Sequence, residues 1–276
     1  MINMDDYEVL KQLRKKIFIT GYRGGMAHLA SCYSCIEMIY ALYCKDILKY
    51  DPSNPKWDDR DRFILSKGHA GLALYSVLAF KGLISESSLD SYLTLNAEIG
   101  GEPCMRDCDW VEATTGSLGH GLSLGMGMAM ALKSDNKPSR VYVMIGDGES
   151  QEGSIWEAAM AAPSFGLDNL VVILDNNRIQ KMDFTENTLG NPRWDEKWKS
   201  FGWDVKHVDG HNVDSFTDLL NRENDSGKPL FVIADTVKGK GVSIMENNPN
   251  WHFKLPGRKD LKVFMSELSI SEEELY

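Results

Sequence analysis

Two polar turns, each after a short apolar run, constrain the fold of this chain more than any other feature. Residues 140–145 (R-V-Y-V-M-I) lead into Gly-Asp-Gly at 146–148, and residues 169–174 (N-L-V-V-I-L) lead into Asp-Asn-Asn at 175–177. Both runs are continuously apolar and β-branched, which indicates strands covered on both faces. The segment between them has the pattern of a helix. We therefore predict a βαβ unit whose two parallel strands end at one edge of a sheet.

The side chains expected at this edge favour a metal ion beside a diphosphate. The carboxylate of Asp147 and the amide oxygen of Asn177 should converge there, and both are hard oxygen ligands suited to Mg²⁺. Gly148 has no side chain, so a backbone N–H can approach phosphate closely. The sequence thus predicts a Mg²⁺–diphosphate site.

The remaining pattern alternates strands with helices. Three further strands are expected at residues 62–65, 202–208 and 229–234. Helices are expected at residues 6–20, 28–48, 71–81, 83–96, 116–133, 153–166 and 213–224. Glycines recur through the helix at 116–133, which suits a helix buried at a domain or subunit contact. This alternation indicates an α/β fold with a mostly parallel sheet of about five or six strands and helices on both faces.

Charge and hydropathy exclude several classes of function. The net charge of −10 argues against partners such as nucleic acid or an anionic membrane surface. No stretch reaches the roughly 20 apolar residues of a membrane span. The N-terminus carries Asp5, Asp6 and Glu8 and lacks the basic and apolar regions of a signal peptide. We therefore expect a cytoplasmic protein.

The five cysteines are interpreted as reduced thiols. Cys32 and Cys35, together with Cys104 and Cys108, have a spacing that a Cys₄ zinc site could use. The first pair lies within a predicted helix, however, where a small buried cysteine packs well. We favour the packing role and keep zinc as the alternative.

Five motifs in one consistent order resemble the transketolase family. Gly-Asp-Gly with a paired asparagine resembles the thiamine diphosphate (TPP) fingerprint, and the resemblance covers about residues 10–256. The motifs are D-R-F-I-L-S-K-G-H-A at 61–70, T-T-G-S-L-G at 114–119, G-D-G-E-S-Q-E-G-S-I-W-E-A at 146–158, T-V-K-G-K-G-V at 236–242 and W-H at 251–252. The resemblance implies a TPP-binding fold, with residues 1–276 forming a single diphosphate-binding domain of the N-terminal transketolase type.

The resemblance also implies which residues hold the cofactor. Asp147, Asn177 and the backbone carbonyl of Ile179 would be the Mg²⁺ ligands, the last by resemblance only. The residues implied to contact TPP are His69, Gly116, Ser117, Leu118, Gly146, Asp147, Gly148, Glu149, Asn177, Ile179 and His252.

Catalytic roles are implied for three histidines and one glutamate. His28 would contact the donor substrate, and His28, His69 and His252 could move protons between substrate hydroxyl and carbonyl oxygens. Glu152 would join a network of acidic groups that links two active sites across a dimer, with Glu157 as its partner.

The family implies a partner for this chain. Transketolases bind TPP between two domains, and the match here covers only the diphosphate-binding one. We expect the N-terminal subunit of a split transketolase, active only with a separate C-terminal subunit that carries the pyrimidine-binding domain, in an α₂β₂ complex. The implied reaction transfers a two-carbon ketol unit from a ketose donor to an aldose acceptor, with sugars or sugar phosphates as substrates.

Three alternatives remain open from the sequence. The chain could be the α subunit of a 2-oxo-acid dehydrogenase, although S-K-G-H at 66–69 and W-H at 251–252 argue against it. A synthase of the 1-deoxyxylulose phosphate type shares several motifs but is normally one long chain. A non-catalytic scaffold is the third, and the presence of His69, Asp147 and Asn177 counts against it.

Glu102 departs from the family pattern, as does Leu29, which stands where the family has a proline after the histidine matched by His28. Glu102 stands in Gly-Glu-Pro at 101–103, where the family has Gly-His-Pro. An ionised glutamate accepts hydrogen bonds and cannot supply the N–H that histidine offers. We expect either a rebuilt loop with Glu102 facing solvent, or a changed donor or acceptor such as a modified, branched or amino sugar.

Overall fold

The helices of the chain surround one central sheet. A computed structural model describes residues 5–26, 28–222 and 226–275. In this part of the chain the helices are α1 (Asp6–Gly24), α2 (Leu29–Cys44), α3 (Gly71–Phe80), α4 (Glu86–Asp90), α5 (His120–Ser134), α6 (Gly153–Ser164), α7 (Thr185–Leu189), α8 (Trp194–Phe201), α9 (Val213–Leu220), α10 (Arg258–Glu267) and α11 (Glu272–Leu275).

The sheet has five strands, all parallel, in the order β1-β2-β3-β5-β4. The strands are β1 (Arg62–Leu65), β2 (Val141–Gly146), β3 (Leu170–Asn176), β4 (Asp204–Asp209) and β5 (Leu230–Asp235). The predicted βαβ unit is confirmed, because β2 and β3 are adjacent and α6 connects them. The mostly parallel α/β fold with helices on both faces is confirmed as well.

Side chains of each strand alternate between two cores, one on each face of the sheet. Along β2, Tyr142 and Met144 pack on the side of α1, α2 and α3, while Val143 and Ile145 pack on the side of α5, α6 and α8. Because both faces are covered, every residue of β2 is buried. This explains why the strand is continuously apolar in the sequence.

Glycines let α5 lie close against the sheet. A Cβ built on Gly125 would lie 2.4 Å from Cγ2 of Val143, and one on Gly121 would lie 2.4 Å from Oγ of Ser66. Gly127 has nothing within 4 Å of such a Cβ. Gly121 and Gly125 therefore serve packing within this chain, and the domain or subunit contact expected for this helix stays a prediction.

Some predicted boundaries were wrong. Instead of a helix over 83–96, only the short α4 forms, and the glycine-rich helix begins at His120 because Gly116 and Gly119 adopt positive φ angles of 133° and 87°. The helix predicted at 213–224 ends at Leu220, and Asn224 lies outside the described residues.

Cys32 and Cys35 are buried in α2 within the core.

Among the described residues, no helix has both the length and the apolar character needed to cross a membrane.

Candidate functional site

A cleft of about 370 Å³ lies at the edge where β1, β2, β3 and β5 end. Eleven of the cofactor-binding and catalytic residues predicted from the sequence line it: His28, His69, Gly116, Leu118, Gly146, Asp147, Gly148, Glu149, Asn177, Ile179 and His252. Ser117 and Glu152 do not line it, and both are exposed. Parallel strands therefore bring the turns after β1, β2 and β3 together as the βαβ argument required.

Asp147 is buried at the floor of the cleft, with 3% of its surface exposed. Its Oδ1 accepts a hydrogen bond from the backbone N–H of Gly148 at 2.7 Å, and Oδ2 accepts one from the N–H of Arg178. Burial, with the nearby charge of Asp175, raises the pKa of Asp147 to about 6 despite the opposing effect of Lys238. A divalent cation would favour the ionised carboxylate here.

Asn177, which directly follows β3, is held by Asp175 near the end of that strand. Nδ2 of Asn177 donates to Oδ2 of Asp175 at 3.0 Å, and Oδ1 of Asn177 accepts from the N–H of Ile179 at 3.2 Å. The amide therefore has a defined orientation, with its oxygen on the side of Ile179.

Lys67 and Asp175 form an ion pair inside the protein. Lys67 is 1% exposed and Asp175 is fully buried. Oδ2 of Asp175 also accepts from the hydroxyl of Ser34 at 2.6 Å, and Lys67 also donates to the carbonyl of Ser31 at 3.2 Å. Burial alone would raise the pKa of Asp175, but the contact with Lys67 lowers it below its ordinary value. This ion pair therefore links the turn after β1 to the end of β3.

Lys238 brings a second buried cation into the cleft. Its Nζ donates to the carbonyl of Ile179 at 2.8 Å and lies 3.1 Å from Nδ1 of His252. Burial lowers its pKa to about 8, with Asp147 opposing and Lys67 adding to the shift. The cleft therefore holds positive charge where an anionic group could bind.

Three histidines form a cluster beside Lys238. The ring of His28 lies 5.1 Å from that of His69 and 5.6 Å from that of His252. Burial, then the charge of Lys238, lowers the pKa of His28 to about 4 and that of His252 to about 3, and the pKa of His69 is well below its ordinary value, mainly through burial. All three are therefore neutral near pH 7. Nδ1 of His28 is buried without a hydrogen-bond partner in the described residues.

Glu149 serves the framework of the cleft. Its Oε1 accepts from the hydroxyl of Ser66 and, at 2.9 Å, from the N–H of Gly119, and its Oε2 accepts from the N–H of Gly146 at 3.0 Å. The carboxylate is thus fully used within the chain, and only the backbone of Glu149 is available to a ligand.

Glu102 lines the cleft beside Gly116. A Cβ at Gly116 would lie 1.9 Å from Oε2 of Glu102, but Glu102 is exposed and its side chain can move aside, so it is the φ of 133° at Gly116 that favours glycine there. The carboxylate has no hydrogen bond or ion pair in the part of the chain that the structure describes.

No role was predicted from the sequence for Lys67, Asp175, Gln180 or Lys238. Lysine is rarely buried, so nothing in the sequence pattern indicated that Lys67 and Lys238 would lie inside the protein. Their position was nevertheless a usable signal, because each lies two or three residues after a strand that ends at the cleft. Oε1 of Gln180, another lining residue, is buried without a partner among the described residues.

Comparison with known proteins links the chain to one family. The family described as "Transketolase, thiamine diphosphate binding domain" matches residues 20–274. One subunit of the apulose-4-phosphate transketolase of Phocaeicola vulgatus is 40% identical over 263 residues, which are 95% of this chain and 93% of that relative. The 6-deoxy-6-sulfo-D-fructose transketolase subunit SqwG of Clostridium sp. is 41% identical over 223 residues, or 80% of this chain and 81% of that one.

Solved transketolases have the same fold over a part of their length. The structure from Campylobacter jejuni superposes with a TM-score of 0.84 at 27% identity, over 97% of this chain and 44% of that one. The Pichia stipitis enzyme in complex with sedoheptulose 7-phosphate gives 0.88 at 26% identity, over 96% of this chain and 41% of that one. This chain therefore spans less than half the length of these transketolases.

Proposed function

Because this chain belongs to the transketolase family, whose members are transferases, we propose that it is the TPP-binding subunit of a two-chain transketolase. In this proposal, residues 1–276 form one diphosphate-binding domain, which acts with a C-terminal subunit. Together they transfer a two-carbon ketol unit from a ketose to an aldose. The carrying observation is the cleft in which Asp147, Asn177 and Lys238 meet three neutral histidines.

The residues of the cleft fit Mg²⁺ and a diphosphate. Asp147, Asn177 and the carbonyl of Ile179 offer three hard oxygens on adjoining turns. The carbonyl of Ile179 already contacts a cation, the ammonium group of Lys238. A Cβ at Gly148 would lie 2.8 Å from Cβ of Gln180, so only glycine keeps this wall open. We propose that these three oxygens hold Mg²⁺ and that Lys238 pairs with the diphosphate.

The protein's own part in the reaction is to bind, orient and move protons. When bound, TPP supplies a nucleophilic carbon that can take up and release the two-carbon unit. The neutral imidazoles of His28, His69 and His252 can each accept or donate one hydrogen bond at a substrate hydroxyl or carbonyl oxygen. His28 has an unpartnered Nδ1, so we assign it to the donor substrate.

Assembly with a second chain is supported by the names of two relatives and by exposed apolar side chains of this chain. The two relatives above are named as subunits of transketolases. Leu124 in α5, Met160 in α6 and Phe165 just after α6 are 44%, 52% and 55% exposed, and α5 packs against α6. An exposed apolar patch marks an interaction surface. We propose an α₂β₂ complex that covers this surface and buries Glu152 and Glu157.

The first prediction concerns this assembly. The isolated chain is expected to show no two-carbon transfer, and adding its C-terminal partner should restore transfer, because the pyrimidine-binding half comes from the partner. Leu124→Glu should weaken the complex at least about tenfold, since it buries a charge at the contact. Leu95→Glu, at a side chain 92% exposed in a loop, is the matched control.

Light scattering and a coupled transfer assay measure both effects. Turnover by the isolated chain, free of contaminating transketolase, would contradict the two-chain proposal. A titration with TPP separates the enzyme from a non-catalytic scaffold, because a scaffold without a cofactor would bind none.

A second prediction concerns the substrate. The relatives are named for apulose 4-phosphate and for 6-deoxy-6-sulfo-D-fructose, and we propose that this chain also acts on a specialised sugar or sugar phosphate. Glu102 places an acceptor with no protein partner in the described part of the cleft wall. Glu102→His should therefore raise activity toward ordinary ketose phosphates relative to the native substrate, by about tenfold for one substrate hydrogen bond.

Asp107→His is the control for this change, because Asp107 is an exposed acid of the same loop and does not line the cleft. The ratio of kcat/KM values for xylulose 5-phosphate and the native donor is the measurement. If the native complex already uses xylulose 5-phosphate well and Glu102→Ala changes nothing, Glu102 has no part in specificity.

A further inference from the structure

The loop at 236–242 carries Lys238 into the cleft, and it is anchored from outside the cleft. The backbone N–H of Val237 donates to Nε2 of His211 at 2.8 Å. The carbonyl of Lys240 accepts from Nε of Arg14 at 2.8 Å. Neither His211 nor Arg14 lines the cleft. Two side chains on other elements therefore fix the loop on both sides of Lys238.

Both anchors meet at one buried carboxylate, that of Glu37 in α2. Glu37 is 5% exposed; its Oε1 accepts from Nη2 of Arg14, and its Oε2 lies 3.1 Å from Nδ1 of His211. Burial alone would raise the pKa of Glu37, but Arg14 and His211 outweigh it and hold the pKa below its ordinary value. Glu37 therefore carries a charge that holds both neighbours in place.

The contacts also fix the tautomer of His211. Because Nε2 accepts a hydrogen bond from Val237, the ring proton must lie on Nδ1, facing Glu37. The hydrogen bond from Val237 holds the His211 ring on one side, and Oε2 of Glu37 faces Nδ1 at 3.1 Å on the other, which restricts rotation of the ring. The position of the neighbouring Lys238 backbone follows from it.

We propose that Glu37 and His211 are positioning residues that act through Lys238 to set the affinity of the cleft for a diphosphate. The inference rests on the proposed function for the identity of the ligand. It assigns these two side chains no contact with the ligand. Their effect passes from Glu37 to His211, to the N–H of Val237, and then to the ammonium group of Lys238, which contacts Ile179 and His252.

The test measures binding of TPP, with Mg²⁺ present, to the complex of this chain with its C-terminal subunit by titration calorimetry. His211→Leu removes the acceptor for Val237 and should weaken TPP about tenfold, as expected for one lost buried hydrogen bond. His211→Gln keeps an acceptor and should recover part of this loss. His207→Leu is the matched control, because His207 is an exposed histidine paired with Asp195 and should leave the affinity unchanged.

A double variant separates positioning from a general loss of structure. Lys238→Met should itself weaken TPP, and adding His211→Leu to it should cause no further loss, because the two act in one series. Full additivity of the two losses, or equal affinities for His211→Leu and His207→Leu, would overturn the inference. Unchanged affinity in Lys238→Met would instead show that the diphosphate does not bind at Lys238. That result would overturn both the proposed pairing of Lys238 with the diphosphate and this inference.

If His211→Leu does not fold, the unsubstituted full chain still provides a test. Long-range ¹⁵N NMR of its six histidines reports which ring nitrogen carries the proton. His211 should carry it on Nδ1. A proton on Nε2 of His211 would exclude the hydrogen bond from Val237 and overturn the inference.

Discussion

Replacing Asp147 with alanine is expected to abolish Mg²⁺-dependent binding of TPP by the assembled complex while leaving the fold intact. Asp147 is the only carboxylate among the three proposed metal ligands, so its loss removes the charge that compensates the metal. Removal of a group that merely orients a metal ligand costs 10- to 100-fold, so we expect a loss of more than about 100-fold. Titration calorimetry with TPP and Mg²⁺ measures it.

Stability should change little in this variant, which distinguishes a binding role from a structural one. Burial raises the pKa of Asp147 to about 6, so the ionised carboxylate does not favour folding without a metal. Asp204→Ala is the control, because Asp204 is an aspartate of the same sheet at the start of β4, at the opposite edge. TPP affinity in Asp147→Ala equal to that in Asp204→Ala would show that the metal site is assigned wrongly.

The second large effect is expected from Asp175→Asn. This substitution leaves Lys67 as a buried cation without its partner, and breaking a buried ion pair costs about 3–5 kcal/mol. We therefore expect the free energy of unfolding in urea to fall by that amount. TPP binding should fall as well, because Asp175 orients the amide of Asn177.

Two comparisons test the origin of this loss. Glu196→Gln breaks the pair of Glu196 with Arg193, whose side chains are 69% and 67% exposed, and it should change stability by less than about 0.5 kcal/mol. The double variant Lys67→Met/Asp175→Leu should be more stable than Asp175→Asn, because it leaves no unpaired charge. A loss in Asp175→Asn no larger than that in Glu196→Gln would contradict the buried-pair argument.

The centre of the candidate site was predictable because its residues stand at strand ends. The apolar runs before Asp147 and Asn177 identify two buried strands, and parallel strands must bring their following turns to one edge. Chain pattern and topology therefore act together, and no distant contact has to be guessed. The places of Asp147 and Asn177 in the cleft follow from the strand pattern together with the parallel pairing of β2 and β3.

The buried charges were not predictable in the same way. Lys67 pairs with Asp175, and Lys238 contacts the carbonyl of Ile179. Each contact joins segments far apart in the chain, so it depends on the tertiary fold and leaves no periodic signal. Glu152 is the reverse case: its motif was recognised in the sequence, but its side chain is exposed in this chain and does not line the cleft.

The predicted helix boundaries were wrong where the backbone leaves the right-handed helical region of φ and ψ. The apolar pattern continues through Gly116 and Gly119, so the sequence predicted one helix from residue 116. Their positive φ angles instead form a turn, and the N–H of Gly119 binds Glu149 there. Residues 83–96 have only a short stretch of helix, because Leu93 and Asn96 also adopt positive φ values of 57° and 65°.

The close packing of Gly125 against Val143 allows a residue that does not line the cleft to affect the geometry of the cleft. Any side chain at Gly125 would push α5 away from β2, and α5 begins directly after the turn in which Gly119 binds Glu149. A displacement of α5 would therefore also move the preceding turn, in which Gly116 and Leu118 line the cleft. In a scan of single substitutions, we expect changes at Gly125 to inactivate the protein as strongly as changes at a ligand-binding residue. Such a scan alone would therefore not distinguish residues that support the site from residues that bind the ligand.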